Sequence, residues 1–197
     1  MLYKCAQLTD GCSSCTGFRV ANGFECVWCD RPNDVRDSCS YTGDCDTVIP
    51  SSMCPAPILT DFSPKSGPIE GGTTITITGR ELGVTFDDFI NNSITVGFFP
   101  CIPSNHESDY IPGRQIRCNT THGASLGAKT IQISLPHGSG TSNTHFTYAA
   151  PEIMRVVPIR GPVAGGTRLT VWGSNLNTGN MEDTMISIVT GTKCTIE

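Results

Sequence analysis

One stretch of this chain occurs twice, and the spacing of the copies sets the size of what is repeated. The first runs from Pro64 through Gly67-Pro68-Ile69-Glu70-Gly71-Gly72-Thr73 to Gly79. The second runs from Pro158 through Gly161-Pro162-Val163-Ala164-Gly165-Gly166-Thr167 to Gly173, and every equivalent glycine lies 94 residues further on, without a gap. Proline fixes φ and cannot donate to a ladder, so Gly-Pro marks the end of a preceding segment. Gly-Gly supplies positive φ for a tight reversal. Polar and apolar residues then alternate, Thr74-Ile75-Thr76-Ile77-Thr78 in one copy and Arg168-Leu169-Thr170-Val171-Trp172 in the other. That period of two predicts a half-buried strand after each corner. A repeat this long is a whole domain rather than a solenoid unit.

The rest of residues 55–149 follows the same pattern. Ile58 to Phe62 reads as a first strand closed by Pro64, and residues 73–78 as the next, with Gly79 marking a bulge or a strand end. Leu82 to Asn92 reads as irregular; Asp87 and Asp88 are adjacent and fit a solvated loop better than a cation site. Further alternation at Ile94 and Val96, residues 115–119, Ile131 to Leu135, and Phe146 to Tyr148 gives six or seven short strands and no helix. An antiparallel two-sheet sandwich in an all-β chain is predicted. Cys101 and Cys118 flank a loop of 16 residues. Their bond is expected, and would constrain the unfolded chain by about 3 kcal/mol.

From residue 150 the pattern restarts. Pro151 aligns with Pro57, Pro158 with Pro64, and Cys194 with Cys101 after one deletion. The equivalents of Cys118 and of the last strands would lie past Glu197. Residues 150–197 are therefore expected to hold an incomplete second sandwich, poorly ordered on its own, with Cys194 unpaired.

Residues 1–54 differ in kind, for they carry eight of the eleven cysteines: Cys5, Cys12, Cys15, Cys26, Cys29, Cys39, Cys45 and Cys54. So short a segment buries too little to offset its ordering entropy, and covalent staples must make up the difference. Cys12-x-x-Cys15 and Cys26-x-x-Cys29 have zinc-ligand spacing, but a Cys₄ site leaves the other four cysteines without a role. A disulfide framework in an oxidising compartment is favoured. The sequons Asn91-Asn92-Ser93 and Asn119-Thr120-Thr121 agree with it. Counting cannot choose among the pairings that eight cysteines allow.

No apolar run approaches the ~18 residues of a membrane span, and Met1-Leu2-Tyr3-Lys4 meets Cys5 without a signal sequence. Such a chain is expected to be part of a longer secreted one. The net charge is −5, and no segment is basic, which opposes a nucleic-acid surface. No catalytic constellation is visible. His106, His122, His137 and His145 lack metal-ligand spacing and read as surface residues in loops or at strand edges. Ser139 lacks a nucleophile elbow, and Gly71-Gly72 leads into no phosphate loop. No catalytic residue, metal or cofactor is predicted.

Two family resemblances sharpen this reading. Cys26-Val27-Trp28-Cys29, with Cys12-Ser13-Ser14-Cys15 before it and three spaced cysteines after it, resembles the PSI domain of plexins, semaphorins and integrins. That resemblance implies the pairs Cys5–Cys26, Cys12–Cys54, Cys15–Cys39 and Cys29–Cys45, with Trp28 as the main apolar body of the small core. Gly-Pro-x-x-Gly-Gly-Thr followed by a strand resembles the IPT/TIG domain, an immunoglobulin-like sandwich. The implied order is PSI (1–54), IPT/TIG (55–149) and a second, incomplete IPT/TIG (150–197). It is similar to a plexin ectodomain stalk and, second, to the hepatocyte growth factor receptor family. A plexin resemblance implies the extracellular part of a single-pass membrane receptor. A semaphorin ligand would bind through a sema domain outside this chain, and membrane contact would run through a span also outside it. Receptor homo-association or a co-receptor follows as a partner, and the stalk would act as a spacer. A DNA-binding protein of the Rel type is opposed by charge, cysteines and sequons. An accessory domain of a carbohydrate-active enzyme lacks the paired acids that hydrolysis requires.

Overall fold

The computed structural model describes residues 5, 11–16, 19–20, 24–30, 38–123, 125–179, 186–187 and 193–195. Among the described residues the cysteine-rich segment includes the short helix α1 (Cys12–Thr16) and the strands β1 (Arg19–Val20), β2 (Phe24–Asp30), β3 (Ser38–Tyr41) and β4 (Thr47–Val48). β2 pairs antiparallel with each of the others. Four disulfides close this segment: Cys5–Cys26, Cys12–Cys54, Cys15–Cys39 and Cys29–Cys45, with Cα–Cα distances of 5.8, 5.5, 5.6 and 5.7 Å. Its interior is a cluster of Cys5, Cys15, Cys26 and Cys39, on which a half-buried Trp28 packs. Sulfur, more than the indole, fills this small core.

Next come β5 (Ile58–Ser63), β6 (Ser66–Pro68), β7 (Thr74–Arg80), α2 (Phe86–Ile90), β8 (Ser93–Val96), β9 (Phe99–Pro103), β10 (Gln115–Thr120), β11 (Gly127–Leu135) and β12 (Gly138–Ala149). The hydrogen-bonded order is β5-β7-β10-β9-β8-β11-β12-β6. β9 hands this order from one sheet to the other: Phe99 and Pro100 pair with β8, while Cys101 to Pro103 pair with β10. Alternation decides which side chains face inward. Ile75 and Ile77 are fully buried, whereas Thr74, Thr76 and Thr78 are half-buried. Ile116, Ile131, Ile133, Phe146, Tyr148 and Phe62 complete one core, each contributing roughly 1.5–3 kcal/mol over an exposed position. Cys101–Cys118 lies in the same core with a Cα–Cα distance of 5.4 Å.

The repeated corner has a steric reason. A Cβ on Gly67 would collide with the Thr73 hydroxyl and lie 2.7 Å from Phe146 Cζ, and one on Gly161 would collide with Thr167. Gly71 and Gly72 have φ of 86° and 83°, and Gly165 and Gly166 have 83° and 78°.

Of the bulge or strand end expected at Gly79, the structure shows the bulge: β7 continues to Arg80, and the pairing with β5 shifts register between Leu59, opposite Gly79, and Asp61. Glycine permits this because the Ile58 carbonyl comes where a Cβ would be. The structure departs from the sequence reading at three places. Residues 82–92 are not a plain loop, since Asp87 and Asp88 belong to α2. The Thr85 side chain accepts the Asp88 N–H and the Asp88 carboxylate accepts the Thr85 N–H, a reciprocal cap. Phe89 is buried against Tyr110, their rings stacked at 5.7 Å. The sandwich is not wholly antiparallel, because β6 runs parallel to β12. His145 lies inside β12 rather than in a loop or at a strand edge, and His137 is only half-exposed.

Beyond residue 150, β13 (Glu152–Val157) pairs with β14 (Thr170–Ser174), and β15 (Ile186–Ser187) with β16 (Lys193–Cys194). The Arg155 guanidinium stands 5.3 Å from the Trp172 ring centre. Met154 is 68 % exposed. The Cys194 thiol is free, and residues 180–185, 188–192 and 196–197 lie outside the described ones.

Candidate functional site: the joint under Glu81

Glu81 is an acid where apolar surroundings would reject one. It follows β7 directly, is 8 % exposed, and has a φ of 56°. A buried carboxylate must be matched by donors, and here they come from the cysteine-rich segment. Oε1 accepts the Cys12 N–H at 2.9 Å and Oε2 accepts the Ser13 N–H at 2.7 Å. These N–H groups open α1 and have no partner within their own helix. The Glu81 carbonyl accepts a hydrogen bond from His137 Nε2 at 3.0 Å, which fixes the turn between β11 and β12 against the same point. Gly113 donates to the Gly83 carbonyl at 2.9 Å, and a Cβ on Gly113 would lie 2.7 Å from Ser14 N.

A second attachment lies at the linker. Cys12, whose N–H is held by Glu81, is bonded through sulfur to Cys54, and Pro55-Ala56-Pro57 follows at once. Pro57 is buried; its carbonyl occupies the space a Cβ on Gly140 would need, and Ala56 leaves only 2.8 Å for a Cβ on Gly138. Covalent bond, packed linker and two charge-assisted hydrogen bonds thus converge on α1 from different directions. Beside them an open cleft of about 420 Å³ is lined by Thr60, Thr78, Arg80, Ile111 and Arg114 among others.

The chemistry available here is structural. Cys12, Cys54 and Glu81 place ligand atoms within 4.8 Å of one another, but the two sulfurs are joined and both carboxylate oxygens accept N–H groups. No thiolate is on offer, and thiolate is what zinc binds. Burial pushes the Tyr110 phenol above its ordinary range, and the Asp88 charge adds to the effect. The hydrogen bond from Ser104 holds the Asp109 carboxyl below its usual value, and the Arg117 guanidinium helps.

The other candidate residues lie apart from this joint. Asn91 is exposed and caps the C-terminus of α2. Asn119 is exposed on β10, its side-chain oxygen accepting the Thr74 hydroxyl at 2.7 Å. The His122 ring meets the Ile69 carbonyl, as His137 meets that of Glu81, so neither of these rings is set against a nucleophile. His106 is exposed, and Ser139 bonds Ser134. Sequence reasoning missed Glu81. The signal was a lone acid between a strand of strict alternation and the apolar Leu82-Gly83-Val84.

The family model of the IPT/TIG domain matches residues 57–148 and 151–197. With the glycine corner and the sandwich core in place, the chain belongs to the IPT/TIG domain family. Its similarity to known proteins extends through the cysteine-rich segment as well. It is 36% identical to human Plexin-B1 over 195 residues, covering 97% of this chain and 9% of that protein. It is 32% identical to Plexin-2 of Caenorhabditis elegans over 199 residues, covering 100% of this chain and 10% of that protein. Among solved structures it resembles the full extracellular region of plexin A4, with a TM-score of 0.71 and 29% identity over 90% of this chain and 16% of that one. The chain spans about a tenth of the length of the curated relatives it matches.

Proposed function

We propose that this chain is a stalk segment of a plexin-type semaphorin receptor: a PSI domain over residues 1–54, an IPT/TIG domain over 55–149 and the start of another over 150–197. It stands outside the cell and holds a ligand-binding head at a fixed distance and angle from the membrane. Bringing heads together, by receptor homo-association or through a co-receptor, is thereby transmitted along the stalk. The observation that carries this reading is the joint. Glu81 accepts two N–H groups from the preceding segment while Cys12–Cys54 ties that segment to the linker. The Glu81 hydrogen bonds add a second contact to the one the linker makes, and so restrict the swivel that a linker alone would leave. Domains of one chain are otherwise expected to move relative to each other. The hepatocyte growth factor receptor family shares the domain order, but the plexin similarity runs through 97% of this chain and so is preferred.

The test releases both attachments in a full-length receptor. Glycine and serine residues are inserted between Pro55 and Ala56, and Glu81→Ala is added. Semaphorin affinity is expected to stay unchanged while the semaphorin-triggered signal falls. An undiminished signal would sink the spacer reading.

A further inference from the structure

β10 is an inner strand of its sheet, paired with β7 on one side and β9 on the other. Cys118 and Thr120 are buried, so Asn119 between them faces outward, and it is exposed. Its two cross-strand partners share that outer face: Thr74 on β7 and Ile102 on β9. The Thr74 hydroxyl donates to Asn119 Oδ1 at 2.7 Å. The amide oxygen is thereby held toward β7, which leaves Nδ2 on the side of β9. There Ile102 is 52 % exposed, while Cys101 before it lies in the core.

Asn119-Thr120-Thr121 is a glycosylation sequon. Both of its ends are tied to neighbouring strands: Asn119 to Thr74, and Thr121 through its hydroxyl to the Pro100 carbonyl at 2.7 Å. A group attached at Nδ2 would therefore leave the sheet from a fixed place, next to the isoleucine. A single exposed isoleucine is ordinary on a protein surface. Beside such an attachment point it is a platform, because the C–H face of a pyranose is apolar and gains by covering it.

We propose that Asn119 carries an N-linked glycan whose first sugar lies on Ile102. In the transfer, Asn119 Nδ2 attacks C1 of a lipid-diphosphate-linked oligosaccharide. The N–C1 bond forms and the C1–O bond breaks. One amide proton passes to a base of the transferase, and the lipid diphosphate leaves with the bonding electron pair. The step precedes the pairing of β10, since an asparagine in an inner strand offers an enzyme no free backbone to hold. Folding then sets the sugar against β9. The inference goes beyond the stalk reading and needs only passage through an oxidising secretory compartment, to which the five disulfides point.

The whole chain is secreted from eukaryotic cells, and its glycans are released enzymatically in heavy-oxygen water, which marks each former carrier as labelled aspartate. Peptide mass spectrometry is expected to find the label at residue 119. Amide exchange of Ile75 and Ile131 then reads the stability of the sandwich in three forms. These are the full glycan, the glycan trimmed to its first sugar, and N119D, which keeps an acceptor for the Thr74 hydroxyl but carries no sugar. The first two should agree. In N119D both amides should exchange roughly 3- to 10-fold faster, the effect of uncovering about half an isoleucine. I102S should erase the difference between the trimmed and bare forms. An Asn119 that serves only as a hydrogen-bond acceptor makes the opposite forecast, because N119D keeps that bond. Absence of label at residue 119, with or without label at Asn91, overturns the inference and leaves the stalk reading standing. Equal exchange in the trimmed and N119D forms overturns it too, as does a difference that survives I102S.

Discussion

Glu81→Ala removes both acceptors of the joint and leaves the rest of the side-chain environment in place. Hydrogen bonds to a charged group are worth about 1.5–3 kcal/mol each, and a stranded buried donor costs about as much. Two such bonds end on Glu81. Glu81 itself lines the adjoining cleft, so its truncation should admit water toward the freed N–H groups and the lower end is taken, about 3 kcal/mol in all. Alanine keeps the left-handed strain at φ 56°, so no relief offsets the loss. At about 1.4 kcal/mol per decade, the open form of the joint should become roughly 100-fold more populated. Hydrogen-exchange mass spectrometry reads this directly: the Cys12 and Ser13 amides should exchange roughly 100-fold faster, with core amides such as Ile75 and Ile131 unchanged. Glu81→Gly separates the two contributions. It strips the same acceptors but relieves about 1–2 kcal/mol of backbone strain, so the sandwich should gain stability while the joint opens as in the alanine variant. Unaltered exchange at Cys12 and Ser13 in Glu81→Ala would refute the reasoning. So would a uniform loss of protection across the sandwich, which would make Glu81 part of the core rather than of the joint.

Other outcomes follow from the corner, the disulfides and the perturbed acid Asp109. Gly67→Ala should cost about 1–3 kcal/mol by overpacking, and Thr73→Ala should recover part of that loss in denaturant unfolding. Gly72→Ala has open space around it but a φ of 83°, so it should cost about 1–2 kcal/mol with no recovery from Thr73→Ala. Thiol titration of the denatured, unreduced chain should find one reactive group, Cys194, because the other ten cysteines form five disulfides. Asp109 is held below its ordinary value of 3.8 by Ser104 first and Arg117 after it. Its contribution is therefore complete above pH 3.8 and lost as pH falls through the lower folded value. Ser104→Ala should move the Asp109 titration, followed by NMR, back toward 3.8.

How much was legible in the sequence depended on how local each feature is. The corner and its strand could be read because Gly-Pro, Gly-Gly and a period of two all act within a few residues. α2 could not be read from periodicity, since its five residues from Phe86 to Ile90 make little more than one turn. Its cap was visible as Thr85-Phe86-Asp87-Asp88, but with Asp where Glu or Gln usually stands, and the paired acids drew attention away from it. Glu81 was illegible for a different reason. Its partners lie 69 and 68 residues away, across a boundary between two modules, and no local pattern reports such a contact. The cysteine pairs are also long-range. Counting left them undetermined, and only the resemblance to the PSI family proposed a set.

The joint also explains why a chain so rich in small modules need not behave as beads on a string. Cys12–Cys54 spans 42 residues of sequence and returns the start of α1 to the linker. That bond alone would leave one pivot, at Pro55, with rotation about it free. Glu81 reaches the same helix from the far end of β7, through atoms that are nearly or fully buried. A body held at one point can rotate, and a body held at two can only hinge about the line between them. Gly113 packs closely on Ser14 of the same helix, where a Cβ would lie 2.7 Å from Ser14 N, and so adds a third contact. Three contacts from separate loops are the minimum for a fixed orientation, and the chain spends a strained, buried acid to obtain the second of them. Loss of the Glu81 contact should therefore loosen the joint rather than unfold either module, whereas loss of Cys12–Cys54 also removes a staple of the small module itself.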